Sequence, residues 1–207
     1  MVVCCMRYGW VKYIISWLYR KIRSFDNEVS RNELRKKIGQ IGEGSVIEYP
    51  FIVSNEGRIS IGRNTSILSN ARLDVYTDYG LDGSIIIGDN CYIGYNFSLC
   101  AGDMVTIEND VLIASNVCID SSNHGMNAGS DISYMHQDCS KAPVRIGSGC
   151  WIGEKVIICK GVEVGEKSII GAGSVVTKSI SAYSIAVGNP AHVIKKWDND
   201  MKRWITI

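Results

Sequence analysis

From residue 41 onward, aliphatic residues recur at six-residue intervals, and most are followed by glycine or another small or polar residue. The pattern is clearest in Ile146-Gly147, Ile152-Gly153, Ile158-Cys159, Val164-Gly165, Ile170-Gly171 and Val176-Thr177. A six-residue period maintained over most of a chain predicts a parallel β-helix. Each aliphatic side chain is then expected to point inward, and its burial should stabilise the fold by roughly 1.5–3 kcal/mol.

The interruptions in this period predict the shape of one coil. Groups of three hexads start at Ile41, Ile61, Ile87, Ile107, Ile146 and Val164. Three hexads therefore make one coil with three faces. Extra residues separate the first five groups, with the longest stretch before Ile146, whereas the last two groups follow each other directly. Because every insertion follows a third hexad, all of them should emerge at one corner of the prism and build a functional surface there.

The N-terminal segment 1–25 is basic and contains no acidic residue. On a helical wheel, its apolar residues fall within an arc of about 140°, and they are Trp10, Val11, Ile14, Ile15, Leu18, Ile22 and Phe25. Lys12, Arg20 and Arg23 lie on the opposite side. The pattern predicts a basic amphipathic helix that packs on protein or lies on the inner membrane surface through residues 1–25. Lys12 interrupts the apolar stretch, which argues against a signal peptide, and the stretch is too short to span a bilayer.

A second short helix is expected before the repeats. Ser30 and Glu33 form a capping box, and Gly39 suits the position just after a helix end. The expected organisation is a helical segment at 1–39, a repeat domain at 40–187 with a loop insertion at 125–145, and a short C-terminal helix or tail at 188–207.

Composition and charge narrow the possible functions. The 207 residues are 46% hydrophobic and 21% charged, which suits one folded domain with an ample core. A net charge of +1 gives no electrostatic reason to bind nucleic acid. The eight cysteines show no CxxC and no Cys/His spacing typical of a metal site, so we expect scattered core thiols and no metal.

The segment 144–196 carries the strongest resemblance to a known family. It reads VRIGSGCWIGEKVIICKGVEVGEKSIIGAGSVVTKSISAYSIAVGNPAHVIKK and closely resembles the hexapeptide-repeat acyltransferases, with the likeness extending over 41–197. Within that superfamily the chain looks most like the O-acetyltransferases that modify sugars of bacterial surface polysaccharides (O-antigen, capsule or exopolysaccharide). The galactoside and streptogramin acetyltransferases are similar.

This resemblance implies a fold and an assembly. The fold would be mainly β, a left-handed parallel β-helix of about six coils, each of three hexads, with N-terminal helices. The periodicity alone does not set the hand of the coil. The family also forms homotrimers with three shared active sites, and a cytoplasmic location, peripheral on the inner membrane, would suit the basic N-terminal helix.

Three histidines occur in the chain: His124, His136 and His192. His124 ends the fourth coil immediately before the longest insertion, where that loop can cover it. Its position alone fits either a general base or an imidazole that is hydrogen-bonded within a loop. The resemblance favours the base, because the catalytic histidine of the family occupies this place.

The resemblance also implies direct acyl transfer. His124 is expected to take the proton from a sugar hydroxyl, whose oxygen attacks the thioester of acetyl-CoA while a backbone N–H stabilises the oxyanion. A covalent role for Cys118, one hexad upstream, is the alternative. Either a backbone carbonyl or a carboxylate such as Asp120 would serve to orient the imidazole.

On the family pattern, acetyl-CoA lies in the groove between two subunits. The residues expected to contact it there or in the tail segment are Ala114, Trp151, Ala172, Thr177, Lys178 and Lys195. Lys178 and Lys195 suit the phosphates of CoA, since ammonium groups bind phosphate as point charges. Trp151 either forms a platform near the thioester or the acceptor, or only packs on the protein surface. Lys178 is alternatively a solvated residue at a corner of the prism.

The hexads or corners that could face His124 carry Asn123, Tyr95, Asn96 and Asp103. The residues expected to bind the sugar acceptor are Asn123, Asn96, Asp103 and Trp151. The insertion 125–145 either closes over the active site of a neighbouring subunit or forms a solvated tip. Three other functions stay open. They are acetylation of an antibiotic hydroxyl or a nucleotide-sugar amine, a non-catalytic β-helical scaffold, and a metal-dependent hydratase, which would need three suitably placed histidines.

Overall fold

The computed structural model describes residues 11–22, 24, 25, 28, 29, 32 and 38–207 of the chain. The residues before 38 in this set are helical and exposed, in agreement with the predicted N-terminal helix. Among the described residues, no helix has both the length and the apolar character needed to cross a bilayer. Trp10 and the expected capping box of Ser30 and Glu33 lie outside the described residues.

Residues 40–188 wind into three parallel sheets that form the faces of a prism. The strands of the first face are Gln40–Ile41, Ile59–Ile61, Ser84–Ile87, Met104–Ile107, Val144–Ile146 and Glu163–Val164. Those of the second face are Val46–Ile47, Ser66–Ile67, Tyr92–Ile93, Leu112–Ile113, Trp151–Ile152, Ile169–Ile170 and Ser184–Gly188. Those of the third face are Phe51–Val53, Ala71–Val75, Ser98–Ala101, Cys118–Asp120, Ile157–Ile158 and Val175–Val176.

The aliphatic residue that starts each coil is paired with its equivalent in the next coil. The strand registers place six such residues in one column: Ile41, Ile61, Ile87, Ile107, Ile146 and Val164. Along the chain, the strands of each coil belong in turn to the first, second and third faces. The predicted β-helix of six three-sided coils is therefore confirmed, including the residue that begins each coil.

Strand alternation separates the core from the outer surface of the prism. On the first face, Ile85 and Ile87 are 0% and 1% exposed, whereas Ile86 between them is 42% exposed. Successive side chains of a strand point to opposite faces of its sheet. The inward residues of all three faces form one continuous buried cluster along the prism, and Phe97 is its largest fully buried side chain.

The corners of the prism require left-handed backbone. Asn64, Asn90 and Asp110 occupy equivalent corners with φ of 54°, 57° and 59°, a region that Asn and Asp adopt more readily than most residues. The Asn90 Nδ2 atom donates to Asp110 Oδ1 at 3.2 Å, so these residues also bond from coil to coil. At Gly88, a Cβ would lie 2.4 Å from the Asn109 Oδ1 atom, which explains why the position lacks a side chain.

All four insertions leave the prism between the third face of one coil and the first face of the next. They span 54–58, 76–83, 102–103 and 121–143. Residues 159–162 connect the fifth coil to the sixth, but Ile146 and Val164 are 18 residues apart, so this passage adds no residue to the three hexads of a coil. The spacing of the hexads predicted this single corner, which is called the insertion corner below.

The longest insertion begins and ends as a short hairpin. Ser122–Asn123 pairs antiparallel with Ser140–Lys141, and a 3-10 helix, Tyr134–His136, lies within the loop. Val144 and Arg145, the last residues of the expected insertion at 125–145, lie in the strand Val144–Ile146 of the first face. They belong to the prism because they pair with the strands on either side.

The C-terminal tail forms strands, and the short helix that was the alternative expectation is absent from it. Ser184–Gly188 extends the second face, and Ala191–Asp198 and Arg203–Thr206 follow it as antiparallel strands. Asp198 Oδ1 accepts the N–H groups of residues 200 and 201 at 2.9 and 2.7 Å, which closes the turn between the last two strands. The rings of Trp197 and Trp204 pack edge-to-face, with centroids 5.4 Å apart. Strand pairing at the open edge of the second face therefore replaces the expected helix.

Replacing Ile85 with alanine should lower the free energy of unfolding by about 2–5 kcal/mol, because the change leaves a cavity in a close-packed core. The same substitution at Ile86 is a matched control on the same strand and should change it by about 0.5 kcal/mol or less. Urea unfolding of both variants, followed by circular dichroism, measures the difference. Equal losses at the two positions would contradict this assignment of inward and outward residues.

Candidate active site

A cleft of about 780 Å³ opens between the third face and the insertions. Its polar walls are formed by Arg72, Asp78, Asp120, Ser122, Asn123 and His124. Its aromatic walls are formed by Tyr76, Tyr79 and Tyr134, and two thiols, Cys100 and Cys139, also line it. The cleft therefore combines outward-facing residues from three successive coils with residues from two insertions.

The hairpin of the longest insertion carries His124 into this cleft. Its ladder ends with Asn123 paired to Ser140, so the next opposed pair is His124 and Cys139. The Nδ1 atom of His124 lies 4.0 Å from Cys139 Sγ, and the Cys139 N–H donates to the Tyr79 carbonyl at 3.3 Å. One ring nitrogen, Nδ1, thus faces the hairpin, and no hydrogen bond within residues 38–207 reaches the other, Nε2.

Asp120 stabilises the start of the longest insertion and makes no hydrogen bond to the imidazole of His124. Its Oδ1 atom accepts the Ser122 N–H at 2.8 Å and the Ser122 hydroxyl at 3.2 Å. The group beside Nδ1 of His124 is the Cys139 thiol, which is neither of the two orienting groups that the sequence suggested.

Gln137 holds the interior of the longest insertion in one conformation. Its side chain accepts the Asn127 N–H at 2.9 Å and donates to the Asn127 and Ile132 carbonyls at 3.0 and 2.8 Å. At Gly125, a Cβ would lie 2.5 Å from the Gln137 Cβ. The part of the insertion that follows His124 therefore packs around the buried side-chain amide of Gln137.

Arg72, Asp74 and Tyr76 form a bonded cluster on the third face. The Arg72 Nε donates to Asp74 Oδ2 at 2.5 Å, and its Nη2 donates to the Tyr76 hydroxyl at 2.9 Å. Asp74 is 8% exposed and also accepts the Ser54 hydroxyl at 3.0 Å. Burial raises the pKa of Tyr76 to about 12, so this hydroxyl stays protonated at neutral pH.

The thiols on the third face are poorly placed for covalent chemistry. Burial raises the pKa of both Cys100 and Cys118 above that of an ordinary thiol. The thiolate is the reactive form of cysteine, so both groups are held in the unreactive form at neutral pH. Cys118 also lies outside the lining of the cleft, which disfavours the covalent alternative.

Several predicted site residues share the insertion corner. Asn123 and His124 line the cleft. Thr177 and Lys178 are exposed at the same corner two coils further along, directly after the strand Val175–Val176. Asp103 lies at this corner too, but its carboxylate accepts the N–H of the next residue at 2.8 Å, and it does not line the cleft.

The other predicted site residues lie elsewhere on the prism. Asn96, Ala114 and Ala172 lie at the corner between the second and third faces, where Asn96 bonds to the equivalent asparagine of the next coil at 3.1 Å. Trp151 is 50% exposed on the outer surface of the second face. Lys195 lies on the C-terminal ribbon, which is formed by the antiparallel strands Ala191–Asp198 and Arg203–Thr206. A single chain therefore does not bring this second group to His124.

Sequence reasoning missed Arg72, Tyr76, Tyr79 and Cys139. The register pairs residue 74 with residue 100, and residue 100 with residue 120. Aligning the hexads of successive coils would therefore have placed the strand Ala71–Val75, which bears Arg72, beside the strands that bear Cys100 and Asp120. The pairing of Cys139 with His124 depends on the hairpin formed by the insertion, for which the six-residue period carries no signal.

Comparison with known proteins agrees with this architecture. Residues 143–178 match the family model described as bacterial transferase hexapeptide (six repeats), and residues 84–121 match that of the hexapeptide repeat of succinyl-transferase. WbbJ of Escherichia coli K12, named as an O-acetyltransferase of lipopolysaccharide biosynthesis, is 32% identical over 172 residues, which cover 77% of this chain and 82% of WbbJ. The chain belongs to the hexapeptide-repeat acetyltransferases.

Solved structures of this family share the coil. AntD, an N-acyltransferase from Bacillus cereus solved with dTDP-4-amino-4,6-dideoxyglucose and coenzyme A, has a TM-score of 0.68 and 25% identity, over 83% of this chain and 91% of AntD. A maltose O-acetyltransferase from Clostridium difficile 630 has a TM-score of 0.60 and 27% identity, over 87% and 84% of the two chains. The prism of this hexapeptide-repeat acetyltransferase is accordingly a left-handed parallel β-helix.

Proposed function

We propose that this acetyltransferase moves the acetyl group of acetyl-CoA to a sugar hydroxyl of a bacterial surface polysaccharide, with His124 as general base. The observation that carries the proposal is the position of His124, beside Asn123 in a polar cleft at the insertion corner. An imidazole titrates near neutral pH and can therefore take a hydroxyl proton in the transition state.

The lining of the cleft suits a sugar ring. Tyr79 and Tyr134 are exposed and line it together with Tyr76, and aromatic faces pack against the apolar C–H face of a pyranose. Asp120 and Asn123 add hydrogen-bonding groups for hydroxyls. A pocket with apolar walls and a few convergent polar groups is typical of a small-molecule site.

The mechanism is a direct displacement. With the proton of His124 on Nδ1, beside Cys139 Sγ, the basic lone pair is on Nε2. This atom accepts the proton of the sugar hydroxyl, and the oxygen forms a bond to the thioester carbonyl carbon. The carbon–sulfur bond then breaks, and the CoA thiolate takes its proton from the imidazolium. No enzyme nucleophile takes part, in keeping with the raised pKa values of Cys100 and Cys118.

We propose that the donor site is shared between copies of the chain in a homotrimer. Thr177 and Lys178 lie on the edge that bears His124, whereas Ala114, Trp151 and Ala172 lie on another side of the prism. If the side of one copy that bears Ala114, Trp151 and Ala172 packs against the insertion corner of the next copy, all five residues line one groove. Closed rings of this kind are common among oligomers. Lys178 and Lys195 would then bind the phosphates of CoA.

The exposed apolar surface of the second face supports this assembly. The registers align Tyr92 with Leu112 and Leu112 with Trp151, and all three side chains are exposed. A contiguous apolar strip of this kind is typical of a surface that binds another protein.

The relatives support two acceptor classes. WbbJ is named for lipopolysaccharide biosynthesis, which favours a hydroxyl of a surface polysaccharide. AntD was solved with a nucleotide-linked amino sugar, so N-acetylation of a nucleotide-sugar amine is the second candidate. Both reactions use the same base and the same donor.

Replacing His124 with alanine should lower kcat/KM by about 100-fold or more, because the change removes the general base. The assay is release of free thiol from acetyl-CoA with a panel of oligosaccharides and nucleotide amino sugars. His136→Ala, in the same insertion, is the matched control and should stay near wild type. The assignment fails if His124→Ala keeps more than about a tenth of wild-type kcat/KM.

We further propose that the N-terminal helix holds the enzyme on the anionic inner membrane surface, near a lipid-linked acceptor. Ile14, Leu18 and Ile22 are exposed on one side of the helix, and the segment 1–25 contains no acid. A helix with an apolar face and a basic face binds at the headgroup boundary of anionic bilayers.

Leu18→Glu should reduce flotation of the full chain with vesicles containing anionic phospholipid by roughly 10-fold or more, because it removes a membrane-buried side chain. Ser16→Glu adds the same charge on the opposite side of the helix and is the control, which should lose much less. Equal losses, or no binding by the wild-type chain, would instead favour a helix that packs on a neighbouring subunit.

A further inference from the structure

The cleft around His124 carries an excess of negative charge. The guanidinium and carboxylate groups in the lining belong to Arg72, Asp78 and Asp120. Apart from His124, the remaining polar side chains of the lining are those of serine, asparagine, tyrosine and cysteine. One guanidinium and two carboxylates therefore determine which charge on a bound molecule the cleft favours.

The guanidinium of Arg72 is already paired with the carboxylate of Asp74, a residue that does not line the cleft. Arg72 donates through Nε to Asp74 and through Nη2 to the Tyr76 hydroxyl, and Asp74 is 8% exposed. This pairing cancels most of the field of Arg72 at short range. Asp78 and Asp120 remain as two carboxylates without a charged partner among the described residues.

Asp120 also keeps one oxygen available for a ligand. Both contacts from Ser122 reach Oδ1, and no hydrogen bond within residues 38–207 reaches Oδ2. The strand Cys118–Asp120 fixes the carboxylate by its pairing with both neighbouring coils, four residues before His124. An ionised carboxylate oxygen only accepts hydrogen bonds, so it matches a ligand that donates them.

We propose that this cleft selects an uncharged sugar residue, binding its hydroxyl through Asp120 Oδ2, and rejects a residue that bears a carboxylate next to the reacting hydroxyl. The proposal rests on the proposed function and adds the charge class of the acceptor. A neutral sugar donates hydroxyl hydrogens to Asp120. A uronate in the same place brings a third negative charge close to Asp78 and Asp120, and like charges at short range oppose binding.

The test compares matched pairs of methyl glycosides in the thiol-release assay. Each pair consists of a neutral hexose and the uronate of the same configuration, in the gluco, galacto and manno series. We expect kcat/KM to be about tenfold or more higher for the neutral member of any pair that reacts, and added salt should narrow the ratio. Asp120→Asn should lower turnover of the neutral sugar and reduce the ratio severalfold, whereas Asp131→Asn, in the longest insertion and outside the lining of the cleft, should leave both unchanged.

The outcomes separate this inference from the function on which it rests. A ratio of one or less, in a pair that releases thiol, overturns the charge selection and leaves the acetyl transfer standing. A ratio that is unchanged in Asp120→Asn overturns the role of that carboxylate. Failure to release thiol with every glycoside, of either charge, overturns both the inference and transfer to sugars.

Discussion

Stacking of inward aliphatic side chains from coil to coil is the constraint on which the rest of the structure depends. Each coil has three short strands, and every strand pairs in register with its equivalents above and below. Inserting one residue within a strand would turn the inward residues that follow it outward, because side chains alternate along a strand. Extra residues are therefore tolerated at a corner, and this chain places all of them at the same one.

That constraint also determines how the candidate site is assembled. The strands of three successive coils on the third face supply the outward side chains of Arg72, Cys100 and Asp120. The insertions beside that face supply Tyr79, His124 and Cys139. The rigid coil thus fixes the floor of the cleft, while the hairpin and the buried amide of Gln137 fix its wall. His124 is thus held between these two elements, in the lining of the cleft.

The sequence was sufficient for the fold because one period governs the core. The six-residue period alone assigns Ile41, Ile61 and Ile87 to one column, and the strand registers place them there. The same counting placed His124 at the insertion corner. It could not identify Cys139 or Tyr79, because loop conformation depends on hydrogen bonds such as those of Gln137, which have no period. The C-terminal ribbon was missed for a related reason: its strands follow from the open edge of the second face and the turn at Asp198, and neither belongs to the repeat.

The central claim is that the acceptor hydroxyl and the thioester meet at His124, on the insertion corner. A crystal structure of the protein with coenzyme A and an acceptor oligosaccharide tests it most directly. The account predicts that an acceptor hydroxyl lies about 2.6–3.2 Å from a ring nitrogen of His124, with the CoA sulfur on the same side of that hydroxyl. A complex in which the CoA sulfur ends at another corner, with His124 facing only solvent, would contradict it.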